Sequence, residues 1–333
     1  MTITIGINGL GRIGRCVVRA IFETGAKDID LAAVNGPAPA ETHAHLLKYD
    51  SVHGRFAQGV AVAGENLVIG GKIVKLSHHR DPKLVPWGGM GVDLVLECSG
   101  KFNQRADAAQ HLEGGAKKVI ISAPAEDADA TIVFGVNNEM LKKYSKVISV
   151  GSCTTNGLAP VIKVLHEAIG IESGFMTTIH AYTGDQNLVD NSHKDLRRAR
   201  SAAMSMIPTK TGAAGTIGLV LPELKGKLDG VSIRVPVPNV SLIDLTFLTR
   251  RDTAKDEINA AFQKAAAGSL KGILGTSSEP LVSVDYTHMG YSSIADLTGT
   301  FVTNKRFCRV AAWYDNEWAF ACRMLDVARL WAE

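Results

Sequence analysis

The sequence predicts an α/β protein in two halves: a largely parallel sheet flanked by helices, then an α+β half built on a mainly antiparallel sheet. Three observations carry this reading. Short apolar runs alternate with helical or loop segments up to Gly151, longer strand patterns follow it, and Gly9-Leu10-Gly11-Arg12-Ile13-Gly14 joins the first strand to the first helix. Thr2 to Asn8 reads as a buried strand, Arg12 to Phe22 as a helix and Leu31 to Val34 as a second strand. Asp93 to Glu97, Val119 to Ser122, Thr131 to Phe134 and Val147 to Val150 supply further short strands. Beyond Gly151, Phe175 to His180, Val231 to Pro236, Ser241 to Thr249 and Arg309 to Trp313 read as longer strands, some joined by hairpins or meanders. Two helices interrupt this half: Thr253 to Ala267, opened by Asp252, and Glu317 to Trp331. The segment from Thr183 to Ser205 is a long, polar, arginine-rich loop, and irregular loops of that length usually carry function.

With 333 residues the chain is long enough for two domains with sizeable cores. A formal charge of +3, spread evenly, argues against nucleic acid or a membrane surface as partner, so any anion sites must be local. The five cysteines form no C-x-x-C pair and no metal-ligand spacing, which fits a reducing compartment and no metal. No apolar run reaches the length of a membrane span and no leader pattern precedes the first strand, so the expected location is cytoplasmic.

In its strand-to-helix context the G-x-G-x-x-G predicts a Rossmann dinucleotide-binding domain. Gly9 permits the tight turn, Gly11 lets a pyrophosphate approach the backbone, and Gly14 lets helix and strand pack closely. An NAD-specific site ends its second strand in Asp or Glu, which accepts from the adenosine ribose 2′-OH. Here that end reads Val34-Asn35-Gly36-Pro37, without an acid, so a 2′-phosphate is not repelled. In Ser152-Cys153-Thr154-Thr155-Asn156 a cysteine stands where a strand gives way to a helix. The helix N-terminus favours a thiolate and would stabilise an oxyanion formed on whatever the sulfur attacks. His180, ending its strand, is the candidate base. Arg234 lies alone inside an apolar strand and needs a partner, which a substrate phosphate would be; Arg197, Arg198 and Arg200 cluster in the long loop.

Together these residues resemble phosphorylating glyceraldehyde-3-phosphate dehydrogenase. The likeness runs from Ile7-Asn8-Gly9 and Gly11-Arg12-Ile13-Gly14, through Ser152 to Asn156 and His180-Ala181-Tyr182-Thr183, to Thr211-Gly212-Ala213-Ala214 and Trp313-Tyr314-Asp315-Asn316-Glu317. The resemblance implies a nucleotide-binding domain over residues 1–151, a catalytic domain over 152–316 and a C-terminal helix over 317–333 that packs back on the first. It implies Cys153 as nucleophile and His180 as its activator. Thr183, Arg197 and Arg234 would hold the substrate phosphate; Ser152, Thr154, Thr211 and Gly212 the attacking inorganic phosphate. Arg12, Ile13, Arg80, Ser122 and Asn316 would contact the cofactor, Asn316 at the nicotinamide carboxamide. The family is typically a homotetramer in which the long loop reaches a neighbouring subunit's cofactor. The implied reaction oxidises glyceraldehyde 3-phosphate with NAD or NADP and inorganic phosphate to 1,3-bisphosphoglycerate, reversibly, in glycolysis, gluconeogenesis or carbon fixation. Erythrose-4-phosphate dehydrogenase, a sister family, and a catalytically silent binding or regulatory relative are the alternatives.

The chain departs from the pattern in places. Gly36 replaces the ribose-binding Asp, and Asn191-Ser192 stands where NAD-specific members commonly carry Leu-Pro, so Ser192 from a neighbouring subunit could donate to a 2′-phosphate. Gly157 replaces the second cysteine of C-T-T-N-C, and Lys210 and Gly215 replace a Ser and a Lys. NADP use alongside NAD is therefore expected. On this reading Gly36→Asp lowers the kcat/KM for NADP relative to NAD by at least roughly tenfold, about 1.4 kcal/mol; a wild-type enzyme that ignores NADP would refute the argument from the missing acid.

Overall fold

The computed structural model describes residues 2–142 and 145–332. The chain divides into two compact units. The first runs to Ile132 and adds Asn138–Gly151 and the chain from Ala321 onward; the second comprises Val133–Asn137 and Ser152–Phe320. Among the described residues, no helix is long and apolar enough to cross a membrane.

The first unit holds an eight-stranded sheet in the order Val147–Ser149, Lys118–Ile121, Leu94–Glu97, Ile3–Asn8, Ile29–Asn35, Lys72–Ser77, Asn66–Ile69, Val60–Ala63. The first six strands run parallel and the last two extend the sheet antiparallel. Ile3–Asn8 lies centrally, with Ile29–Asn35 on one side and Leu94–Glu97 on the other, so the chain order reverses beside it. Ligands of open α/β sheets bind at such a switch point, outside the carboxyl ends of the strands. Ile5 and Ile7 are fully buried, as are Val17 and Val18 of the Arg12–Glu23 helix. From Ala321 on, the Trp318–Ala332 helix belongs to this unit, where Lys118 Nζ donates to the Trp331 carbonyl at 2.6 Å and lies 5.0 Å from its indole centroid.

The second unit is built on a seven-stranded sheet, ordered Ile207–Lys210, Leu228–Val235, Ile171–Ala181, Ser241–Thr249, Phe307–Tyr314, Ser293–Thr303, Leu274–Ser277. Four of its six strand pairs are antiparallel, so the sheet is mixed but mainly antiparallel. The Cys153–Ile169 helix supplies Leu158, Val161, Ile162, Leu165 and Ile169 to the core, against Ile243, Leu245, Val310 and Tyr314 of the sheet.

Several elements differ from the sequence reading. Ile171–Ala181 pairs in parallel with Leu228–Val235, because the connection contains a helix, Ala213–Val220, and can cross over. Its residues Ala-Ala-Gly-Thr-Ile-Gly-Leu-Val lack a polar face, so no helical period shows. The expected Thr131 to Phe134 strand is one bridge, Thr131 to Ser149. Val133 N instead donates to Asn137 Oδ1 at 2.8 Å and Gly135 takes φ 81°, which turns the chain. The helix expected from Thr253 begins at Lys255, since Thr253 N donates to the Lys305 carbonyl at 2.8 Å and Asp252 pairs with Lys305 rather than capping. The meander Val60–Ala63, Asn66–Ile69, Lys72–Ser77 escapes the reading because its strands are short and partly exposed.

Candidate active site

In the first unit, the glycine loop occupies the switch point. Gly9 has φ 95°, and a Cβ there would stand 2.6 Å from the Ser99 backbone. A Cβ on Gly14 would stand 2.0 Å from the Gly9 carbonyl oxygen, whereas one on Gly11 would meet nothing within 4 Å. Thus Gly9 lets the loop lie against the Ser99 backbone, Gly14 serves the loop's own packing, and Gly11 leaves an approach to the backbone open. Gly11 gives the Arg12–Glu23 helix no side-chain cap and its first turn holds no acid, which leaves the helix N-terminus suited to an anion.

A buried polar network holds the strand ends around this loop. Asn35 Nδ2 donates to Asn8 Oδ1 at 2.7 Å, and Asn8 Nδ2 to Glu97 Oε2 at 2.6 Å. Glu97 also accepts from Ser99 N at 2.7 Å and meets His111 Nε2 at 2.9 Å, while Trp87 Nε1 donates to His111 Nδ1 at 3.0 Å. That last bond makes Nδ1 an acceptor and leaves the ring proton on Nε2, facing Glu97. The pocket beyond, about 330 Å³, is lined by Asn8, Gly9, Gly11, His43 and Arg80 among others, and among the described residues no carboxylate lines it. Arg12 is engaged with Asp50, at 2.5 and 3.1 Å. Burial works against that carboxylate, yet Arg12 and the amides of His53 and Val52 hold it well below its usual range. Ser122 N donates to the Glu97 carbonyl at 3.0 Å, and Ile13 is half-buried on the helix. Gly36 bears on the expected Gly36→Asp test, because a Cβ there would lie 2.6 Å from His43 Nε2. The exchange therefore displaces a ring as well as adding a charge.

In the second unit, Ser152 caps the Cys153–Ile169 helix by accepting from Thr155 N at 3.0 Å, which sets Cys153 in the first turn. Its Sγ lies 3.5 Å from His180 Nε2. His180 Nδ1 donates to the Ala181 carbonyl at 2.6 Å, so the neutral ring presents the Nε2 lone pair to the thiol. Burial pushes the thiol above its ordinary range, opposed by Arg234 and the helix amide at Thr154. Burial, with Arg234 adding to it, pushes the imidazole down to about 3, opposed by the Ala181 carbonyl and Asp185. Each separate charge is disfavoured, yet the single proton shared by the pair can pass from sulfur to nitrogen without solvent.

Strand register sets Arg234 opposite His180. Arg234 Nη1 donates to Thr183 Oγ1 at 2.9 Å and to the Ala181 carbonyl at 3.2 Å; Nε is buried without a partner, and no carboxylate pairs with this guanidinium among the described residues. Thr183 donates to Asp185, which accepts from Arg198 Nη1 at 2.6 Å. Arg198 is thus the loop arginine joined to this chain of contacts, while Arg197 is exposed and reaches the Pro208 carbonyl at 3.4 Å. Beneath the cysteine, Tyr314 OH lies 2.9 Å from Thr154 Oγ1 and 2.8 Å from Thr178 Oγ1, and its ring meets that of His180 in a T-shaped contact. The Thr154 hydroxyl is therefore turned into the interior.

Cys153, His180, Thr183 and Arg234 are brought together. Thr211 and Gly212 precede the Ala213–Val220 helix, where Thr211 Oγ1 accepts from Ala213 N at 3.3 Å; among the described residues no hydrogen bond joins them to Cys153. Ser192 is exposed on the long loop. Lys210 is exposed, and its carbonyl accepts from Arg198 Nη2 at 3.3 Å. Asn316 Oδ1 accepts from Ser241 Oγ at 2.9 Å, and Asp315 beside it caps the C-terminal helix by accepting from Glu317 N and Trp318 N at 2.9 and 2.8 Å. The sequence does not single out His43, Tyr314 or Asp185, and it marks Arg198 only as one of the loop's arginine cluster. Tyr314 lies inside a motif that carries the resemblance, and Asp185 two residues beyond another.

Residues 3–105 match the family model for the NAD binding domain of glyceraldehyde 3-phosphate dehydrogenase, and residues 152–316 match that for its C-terminal domain. The chain is 56% identical over 328 residues to the glyceraldehyde-3-phosphate dehydrogenase of Xanthobacter flavus and 55% identical over 328 residues to that of Cereibacter sphaeroides. It is 54% identical over 329 residues to that of Geobacillus stearothermophilus, and 98% of each chain is covered in all three cases. The glycine loop now yields a paired expectation. Gly14→Ala, with 2.0 Å to the Gly9 carbonyl, lowers the melting temperature, whereas Gly11→Ala leaves it unchanged and weakens dinucleotide binding. Calorimetry and titration with NAD check this, and a reversed pattern would refute the division of roles.

Proposed function

The chain belongs to the glyceraldehyde-3-phosphate dehydrogenase family, and from that premise we propose that it is a phosphorylating dehydrogenase oxidising glyceraldehyde 3-phosphate through a thioester on Cys153. The observation that carries this is the 3.5 Å contact of Cys153 Sγ with the His180 Nε2 lone pair at a capped helix N-terminus. Cys153 Sγ attacks the aldehyde carbon as its proton passes to His180, and the helix N-terminus stabilises the resulting oxygen. His180, now charged, donates to that oxygen and later takes its proton back. A bound NAD or NADP supplies the hydride acceptor. Gly9, Gly11 and the pocket rim with Arg80 would hold the dinucleotide, and the open space at Gly11 fits its pyrophosphate. Oxidation leaves a thioester on Cys153, which inorganic phosphate cleaves to release 1,3-bisphosphoglycerate and the thiol.

Arg234 and Thr183 hold the substrate phosphate, supported by the buried, partnerless Nε of Arg234. Arg198 is the better second arginine than Arg197, being tied to Asp185 and Thr183. Ser152, Thr211 and Gly212 serve inorganic phosphate, and Asn316 the nicotinamide. Use of NADP alongside NAD rests on the carboxylate-free pocket and Gly36. A cytoplasmic homotetramer completes the reading, supported by Leu188, Val189, Leu196 and Met204, which stand exposed on the long loop and would be covered by a neighbouring subunit.

Cys153→Ser is expected to abolish turnover while leaving the fold and dinucleotide binding intact, because an alcohol there stays protonated; substantial residual activity would sink the mechanism. Arg234→Leu is expected to raise the barrier for the phosphorylated aldehyde by about 1.5–3 kcal/mol and to affect slow turnover of unphosphorylated glyceraldehyde much less. Equal losses on both substrates would make Arg234 structural. Omitting inorganic phosphate should stall the reaction after one turnover, which separates this activity from that of a silent relative.

A further inference from the structure

Val240 holds φ 65° with its side chain buried, a conformation that is costly for a β-branched residue and persists only where its surroundings over-determine it. Both of its neighbours are anchored. Asn239 Nδ2 donates to Asp315 Oδ2 at 2.9 Å, and Ser241 Oγ donates to Asn316 Oδ1 at 2.9 Å. Asp315 is itself fixed, since its carboxylate also accepts from His288 N at 2.7 Å and from Glu317 N and Trp318 N. The Ser241 side chain, on a residue 1% exposed, is thereby placed at the end of a strand ladder. Pairing between Ile171–Ala181 and Ser241–Thr249 stops at Ile179 and Leu242, and beyond it Ala181 N donates to Ser241 Oγ at 3.1 Å. The one proton of the hydroxyl goes to Asn316, so a lone pair on Oγ receives the amide. The peptide on the other side of Ala181 is held where Tyr182 N donates to the Val237 carbonyl at 3.1 Å. Between these two grips, the Ala181 carbonyl accepts from His180 Nδ1 at 2.6 Å and from Arg234 Nη1 at 3.2 Å. A row of hydrogen bonds thus runs from Asn316 through Ser241 and Ala181 to the imidazole that faces Cys153.

We propose that Ser241 is a positioning residue for the cysteine and histidine pair: by accepting from Ala181 N it holds the peptide that joins His180 to Ala181, so that Nδ1 stays on the Ala181 carbonyl and Nε2 stays open to the Cys153 proton. This rests on the dehydrogenase reading above. Without the hydroxyl, Ala181 N and Asn316 Oδ1 both lose their partner in the interior, and the peptide turns to find another. Nδ1 then loses the carbonyl that raises the affinity of the ring for a second proton, and transfer of the thiol proton to Nε2 becomes less favourable. The titratable and charged groups facing the ring are Cys153, Arg234, Asp185, Arg198 and Tyr314, and a change at residue 241 removes none of them.

The test is alkylation of Cys153 by iodoacetamide in the full-length protein, without substrate or dinucleotide, read at that cysteine by peptide mass from neutral to alkaline pH. Ser241→Ala should slow the reaction at neutral pH at least about tenfold, yet leave it within about threefold of wild type at alkaline pH, where hydroxide removes the thiol proton and the base is not needed. Ser241→Thr, which keeps the hydroxyl, should restore most of the neutral rate. Ser241→Cys takes the place of either variant that does not fold and should react at a rate between the two, since sulfur accepts a hydrogen bond weakly. Equal slowing at both ends of the pH range would make Ser241 structural and overturn the proposal. So would an unchanged neutral rate in Ser241→Ala, or a loss in Ser241→Thr as large as that in Ser241→Ala. His180→Asn tests the premise: a wild-type Cys153 that reacts at neutral pH no faster than in this variant would overturn the pairing with His180, and with it the dehydrogenase reading, so the two failures are distinguishable.

Discussion

The cysteine site depends on how closely the Cys153–Ile169 helix lies on the second sheet. Gly157 sets that distance: a Cβ there would stand 3.1 Å from Tyr314 Cγ and 3.2 Å from Ile243 Cδ1. With the helix seated, Tyr314 can hold Thr154 on the helix and Thr178 on the adjoining strand through one hydroxyl. Leaving a buried hydroxyl unpaired costs about 1–3 kcal/mol, so this three-way contact resists sliding of the helix along the sheet. The Cys153 to His180 distance is then fixed by packing rather than by a flexible loop. At this position, where the resembled pattern carries a second cysteine, the glycine here serves the approach of helix to sheet.

Charge at the site follows from burial. His180 and Cys153 are each poor hosts for an isolated charge, yet the Nδ1 bond to Ala181 decides which nitrogen accepts the proton. Arg234 is set beside His180 by parallel strand pairing, and that pairing depends on the crossover through Ala213–Val220. A hairpin at this point would have given a different register and a different neighbour. The first unit uses another device for the same end. Glu97, wholly buried, is satisfied by Asn8, Ser99 and His111, and this network clamps the carboxyl ends of the central strands around the glycine loop.

Much of this was legible in the sequence because it is local. The glycines declare their conformations, the strand-turn-helix context of Gly9 and of Cys153 is contiguous, and apolar periods mark most of the parallel strands. The run Val34-Asn35-Gly36-Pro37 at a strand end was enough to find the missing acid. The Ala213–Val220 helix and the Val60–Ser77 meander were not legible, because the first has no polar face and the second is held by its pairing rather than by apolar content.

By itself, then, the sequence determined the two-part architecture, the glycine loop and the candidate pair Cys153 and His180, since each follows from residue type and short spacing. Only the tertiary structure decided that Arg198 rather than Arg197 joins the Asp185 and Thr183 contacts, that Thr154 turns inward to Tyr314, and that His43 fills the space left by Gly36. The physical reason is that each of these depends on which side chain a fold brings within hydrogen-bond reach of another, and neighbours in the chain carry no information about that distance.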